Sequence, residues 1–252
     1  MNIEQILHWS EHPKEFIKQL SLQHPIHGQI PFKLKSYQEK IVDMINESIN
    51  GKNQQHHAVL KSRQLGFTTI SAAYAYFLTV FRSHQRVLFI GTNMFIGRQW
   101  LNKIKTWHET STEMQELVKL ITVTDTQLVF DNGSSISAIS PSSNAARGQA
   151  ASLVVMDEFC WFNNAKEVWD AFYPCVAYGG VIFAYGSVPI NSNKQDTESF
   201  KHLWKELSES SIVNTKTFPW FVDETRDFSW YNEQKKAYGN SSSADLDCRI
   251  PY

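Results

Sequence analysis

The sequence predicts an α/β protein: a mostly parallel sheet flanked by helices, with a helical N-terminal lead-in and a β-hairpin decoration. Three observations predict it. Short apolar runs, Ala58–Leu60, Val87–Ile90, Leu153–Met156 and Val181–Tyr185, read as buried strands. Amphipathic stretches of helical period separate them, as covering a parallel sheet on both faces requires. The chain has 252 residues, 42% hydrophobic and 19% charged, which is ample for a core and too apolar for a disordered tail.

Taken in order, Pro13 to Leu22 is the first helical candidate, with Phe16, Ile17 and Leu20 apolar. Ser36-Tyr37-Gln38-Glu39 reads as a capping box opening a helix whose apolar face is Ile41, Met44, Ile45 and Ile49. A polar loop, Gly51 to His57, leads into the first strand. Thr68 to Arg82 is a helix with Ile70, Tyr74, Phe77, Leu78 and Phe81 in register, and Ile96, Trp100, Ile104 and Trp107 mark the next. Gln127–Phe130 and Ser135–Ile139 flank Asp131-Asn132-Gly133, a hairpin signal because Asn-Gly accepts positive φ cheaply. Helices are expected near Ala165–Phe172 and Glu198–Leu207.

Charge and cysteines narrow the function classes. Lys+Arg total 24 against 25 Asp+Glu, a net charge of −1, which excludes a histone-like coat on nucleic acid and allows a small basic patch. Cys160, Cys175 and Cys248 are too scattered for a disulfide framework or zinc knuckle. The apolar run Ala72 to Phe81 is too short for a bilayer, and Met1 to Phe16 lacks the pattern of a secretory signal. A soluble intracellular protein with no membrane partner is expected. Lys103 and Lys105 read as a solvated helix face, with contact to DNA phosphate the alternative.

In parallel α/β sheets, ligands sit beyond the carboxyl ends of the strands, so the turns after Leu60, Ile90, Met156 and Tyr185 carry the search. The first reads Lys61-Ser62-Arg63-Gln64-Leu65-Gly66-Phe67-Thr68-Thr69. A phosphate-binding loop follows G-x-x-x-x-G-K-[ST], its amides curling round phosphates before a helix begins. Gly66 and Thr68 fit that spacing, whereas Phe67 stands at the lysine position and Lys61 at the first glycine. A later strand, Leu153-Val154-Val155-Met156, ends in Asp157-Glu158. Of two such carboxylates, one suits magnesium and the other can deprotonate an attacking water. Together the two pieces point to a P-loop NTPase of the RecA/ASCE-like kind.

From about Pro13 to Tyr231 the chain resembles the ATPase motor domain of viral large terminase subunits, with a variant Walker A loop. The resemblance rests on Leu34-Lys35-Ser36-Tyr37-Gln38, Lys61 to Thr69, Asp131 to Ser135, Ala146-Arg147-Gly148 and Val155-Met156-Asp157-Glu158. It implies that ATP and Mg2+ are the ligands, with Tyr37 and Gln38 at the adenine. Ser62, Arg63, Gln64, Leu65, Gly66, Phe67, Thr68 and Thr69 would line the nucleotide loop, and Lys61 would be its phosphate lysine. Thr68 and Asp157 would hold the metal, Glu158 would activate water, and Gly186-Ser187 would occupy the coupling motif. Two arginines compete for the finger role: Arg147, preferred, acting from a neighbouring subunit, and Arg63 within its own.

The implied function is an ATP-driven translocase of double-stranded DNA into a procapsid, partnered by a portal protein and a small terminase subunit. It would work as a homo-oligomeric ring when assembled, a monomer in isolation, in the host cytoplasm. Residues 1–35 are read as a lead-in and 36–252 as the ATPase domain, with the family's C-terminal nuclease absent and no nuclease activity expected. The alternatives are a nucleotide-binding module that has lost catalysis and another helicase-like ATPase on nucleic acid.

Overall fold

The computed structural model describes residues 2–24, 26–51, 55–189, 194–239 and 242–250, without the side chains of 194–197. The elements in order are α1 (Ile3–Glu11), α2 (Pro13–Ile17), β1 (Ser21–His24), β2 (Gly28–Pro31), α3 (Ser36–Ile49), β3 (His56–Lys61), α4 (Phe67–Phe81), β4 (Arg86–Ile90), α5 (Met94–Thr110), α6 (Thr112–Leu117) and β5 (Leu120–Val123). There follow β6 (Gln127–Phe130), β7 (Ser135–Ile139), β8 (Leu153–Asp157), α7 (Ala165–Phe172), β9 (Val181–Gly186), α8 (Lys194–Glu209), β10 (Val213–Phe218), α9 (Phe228–Tyr238) and α10 (Ser242–Asp245).

One eight-stranded sheet runs β10-β3-β9-β8-β4-β7-β6-β5. From β10 to β7 every pairing is parallel, and β6 and β5 add an antiparallel end. Period-two alternation sends Leu153 and Val155 into the core under α3, α4 and α5, and Val154 and Met156 into the core under α7 and α8. Helix α4 is covered on all sides, so it reads as apolar with only a weak polar face. The hairpin expected at Asn132-Gly133 is present, with Gly133 at φ 81°. Asn132 also donates to the Thr79 carbonyl at 2.8 Å, tying the turn to the end of α4.

Several expectations are corrected. The helix expected over Pro13–Leu22 stops at Ile17, because Ser21–His24 pairs antiparallel with Gly28–Pro31 instead. Helix α1 precedes it unannounced, capped by the Asn2 side chain on the Gln5 amide. The lead-in is joined to the main core: Phe16 is 1% exposed and packs on Phe77 and Phe81 of α4. The cap of α3 falls one residue earlier than Ser36, with the Gln38 side chain accepting from the Lys35 amide at 3.0 Å. Strands β5 and β10 and helices α6, α9 and α10 are further additions. The polar loop read at 51–57 lies partly outside the described residues.

Candidate nucleotide site

Strands β3, β8 and β9 are adjacent and parallel, so the turns after all three open on one edge of the sheet. Beyond β3 the chain turns through Gln64 at φ 58° and Gly66 at φ 75° before α4 begins. Gly66 has two reasons to be glycine: the left-handed backbone, and the Gln38 Nε2 atom 2.9 Å from where a Cβ would stand. Phe67, at the usual lysine position, is 1% exposed and packs against Phe183, Tyr185 and Phe218. Its ring belongs to the core and offers no charge to a phosphate.

The structure brings Lys61, Thr68, Asp157, Glu158 and Ser187 together. Lys61 ends β3 with its side chain 8% exposed, and its Nζ donates to Glu158 Oε1 at 2.5 Å. Glu158 follows β8 in a left-handed conformation, φ 55°. Its other oxygen, Oε2, accepts from the Ser187 amide at 2.8 Å and the Ser187 hydroxyl at 3.0 Å. A Cβ on Gly186 would lie 2.8 Å from Cys160 Sγ and 3.2 Å from Glu158 Cα, so glycine there lets the two strand ends close up. Ser187 thus holds the carboxylate expected to activate water.

Thr68 Oγ1 donates to Asp157 Oδ2 at 2.8 Å. Asp157 is 4% exposed, and burial first, then the neighbouring Glu158 charge, pushes its carboxyl up to about 6. A buried carboxylate touched by one hydroxyl is a hard-oxygen pair that a magnesium ion fits, since the cation would offset that charge. A cleft of about 580 Å³ opens over Thr68, Asp157 and Glu158.

Lys103 of α5 also lines this cleft, which corrects its reading as a solvated residue. It is half-buried, donates to Thr69 Oγ1 at 2.7 Å, and burial lowers its pKa against the raising field of Asp157. Nothing in the local sequence marked it, because α5 reaches the site only through the fold. Lys105, by contrast, keeps to the surface beside Glu109 at 3.6 Å.

Tyr37 and Gln38 lie against the loop. Both the tyrosine hydroxyl and the Gln38 amide donate to the Leu65 carbonyl, at 3.0 and 3.2 Å. Gln38 therefore already uses one donor and one acceptor within the chain, leaving one of each for a base edge. Arg63 leans toward the C-terminal segment, its Nε 2.6 Å from the buried Asp245 Oδ1. Arg147 is exposed, after a short 3₁₀ turn, and lines neither the cleft over Asp157 nor the neighbouring one at Lys61 and Ser187. Arg63 does line the cleft at Lys61, Glu158 and Ser187, with its Nε turned to Asp245, whereas Arg147 stands outside both clefts. The sequence also missed Arg226 and Asp245, which reach the loop, and Asp223, which holds Arg226.

The family described as type III restriction enzyme, res subunit, matches residues 31–176. Among solved structures, the large terminase of bacteriophage HK97 aligns with a TM-score of 0.68 at 14% identity, over 94% of this chain and 54% of that one. The large terminase ATPase domain of Thermus phage P74-26 aligns at 0.60 and 14%, over 87% and 100%. The large terminase of another thermophilic bacteriophage, in complex with ADP, aligns at 0.64 and 12%, over 85% and 52%. The chain spans about half the length of the HK97 protein and of this ADP-bound one. The fold is that of these P-loop ATPase domains.

Proposed function

The chain belongs to the family described as type III restriction enzyme, res subunit, and from that premise we propose that it hydrolyses ATP as the motor domain of a phage large terminase. The observation that carries the proposal is the grouping of Lys61, Thr68, Asp157 and Glu158 beyond the ends of β3 and β8, the parallel strands on either side of β9, with Lys61 on Glu158 at 2.5 Å. A site for binding alone has little use for a carboxylate fixed beside the metal position.

The chemistry follows from the contacts. Lys61 neutralises Glu158 across their 2.5 Å contact, so the lysine and the base hold each other. An incoming phosphate competes for the ammonium, and the flexible stem of Lys61 lets it swing across. Release frees Glu158 Oε1 to accept a proton from water, while Ser187 continues to fix Oε2 and hence the carboxylate plane. Thr68 and Asp157 would hold magnesium, which supplies neutralisation of phosphate charge. The Gln64, Leu65 and Gly66 amides would cradle the phosphates at the start of α4. Arg147, exposed and unattached to this cleft, suits a finger reaching a neighbouring subunit's site, whereas Arg63 is held by Asp245.

The substrate track is proposed to be double-stranded DNA, moved into a procapsid by a ring of such subunits with a portal protein and a small terminase subunit, in the host cytoplasm. Among the described residues no helix is long and apolar enough to cross a membrane. The test is phosphate release from ATP and Mg2+ by the purified chain, with and without double-stranded DNA. Turnover stimulated by DNA is expected; nucleotide binding without turnover under any condition overturns the hydrolytic reading.

A further inference from the structure

Three consecutive carbonyls of the loop are each held by side chains from outside it. The Arg63 carbonyl accepts from Arg226 Nη1 at 3.1 Å and the Gln64 carbonyl from Arg226 Nη2 at 2.9 Å. The Leu65 carbonyl accepts from Tyr37 and Gln38. In a planar trans peptide the N–H lies opposite the C=O. Holding these carbonyls on those side chains therefore turns the amides of Gln64, Leu65 and Gly66 the opposite way. The preceding amides are already used, Ser62 on the Phe218 carbonyl at 2.8 Å and Arg63 on the Asp245 carbonyl at 3.3 Å. The left-handed backbone at Gln64 and Gly66 shapes the concave amide run that binds anions.

Arg226 is itself clamped. Its side chain is 8% exposed, its Nε lies 3.3 Å from Asp223 Oδ2, and its guanidinium sits 4.4 Å over the Trp230 ring. Asp223, 3% exposed, takes Lys35 Nζ at 2.6 and 2.7 Å. Lys35 in turn gives its amide to Gln38, which holds the Leu65 carbonyl. A closed circuit thus runs from the loop through Arg226, Asp223, Lys35 and Gln38 back to the loop.

We infer that Arg226 is a positioning residue of the phosphate site: its planar fork fixes two loop peptides so that their amides meet the diphosphate of a nucleotide. The inference rests on the nucleotide-hydrolysing reading above and adds a residue from the C-terminal segment to that site. A guanidinium presents two donors in a rigid plane, one for each carbonyl, whereas an ammonium is a single point donor on a flexible stem.

The experiment is calorimetric titration of the full chain with ADP and with pyrophosphate, well below the melting temperature. Arg226→Ala is expected to weaken both by about tenfold or more, the scale of losing charge-assisted hydrogen bonds. Arg226→Lys and Arg226→Gln, each able to hold one carbonyl, are expected to fall between and serve if the alanine variant does not fold. Millimolar guanidinium ion is expected to restore ADP affinity to Arg226→Ala and to leave the parent unchanged, which a merely structural role would not produce. Parent-like affinity in folded variants, or a loss that guanidinium leaves untouched, overturns the inference. A parent chain that binds ADP but never hydrolyses ATP overturns the functional reading and leaves this one standing; a parent that binds neither ligand overturns both.

Discussion

Lys61 decides whether the loop is degenerate or rearranged, and charge removal by Lys61→Met tests it. The side chain is 8% exposed and its Nζ rests on Glu158, whose side chain is 31% exposed and also held by Ser187. Breaking a buried pair by deleting one partner costs about 3–5 kcal/mol when the other charge is stranded. Here water and the two Ser187 donors still serve Glu158, so the expected loss of stability is smaller, about 1–3 kcal/mol. Lys61→Met combined with Glu158→Gln should cost less than the two single changes added, because the stranded charge is gone. Turnover should fall by about 10²–10³-fold in Lys61→Met or Lys61→Ala, as for removal of a preorganised charge at a reacting group. Phe67→Ala is the contrast: about 3–5 kcal/mol of packing lost from the ring cluster, with little change in turnover per folded molecule. Phe67→Lys should not rescue Lys61→Ala. Urea unfolding and phosphate release on the same preparations read both quantities. Parent-like turnover in Lys61→Met would refute the rearranged-loop argument, and strict additivity with Glu158→Gln would refute the pairing.

Further expectations concern other groups. Glu158→Gln keeps shape but loses the base, so hydrolysis should collapse while ATP binding persists; measured turnover equal to the parent's rejects the role. Arg147→Ala should leave nucleotide affinity nearly unchanged and cut turnover only in assembled motors. Mixing it with Glu158→Gln subunits should restore some activity, and no rescue would shift the finger role to Arg63. His57, 2% exposed, has its pKa lowered to about 4 by burial first, then by Lys216 and His56. Its unfolded form takes up a proton near 6.5, so stability present above that pH is lost as pH falls toward 4, by about 3 kcal/mol. Urea midpoints across that window should drop less in His57→Gln, and equal slopes in the two proteins would count against this account.

Much of the candidate site was legible because its residues sit in contiguous stretches. Lys61 to Thr69 and Asp157-Glu158 each follow an apolar run that could only be a buried strand. Lys103 was illegible because its neighbour Thr69 lies on another helix. Arg226 and Asp245 come to the loop from the far end of the chain, where no motif announces them. Helix α9 buries none of its residues and so shows no apolar stripe. Strand β10 buries only Val213 and Phe218 at its two ends, which breaks the alternation that marks a strand. At the other end, Ser21–His24 looked like the tail of a helix because only pairing with β2 distinguishes it.

The order of the strands sets a timetable for synthesis. Strand β10 lies beside β3, and Arg226 reaches Arg63 across 163 residues of chain. At roughly 5–20 residues per second, a ribosome needs on the order of ten to thirty seconds to deliver the second after the first. For that interval β3 is a sheet edge with unpaired backbone, a surface open to wrong partners. The loop behind it lacks the groups that aim its amides. In a nascent chain the loop therefore stays unfinished, and it is completed only when the last strand and the segment after it dock.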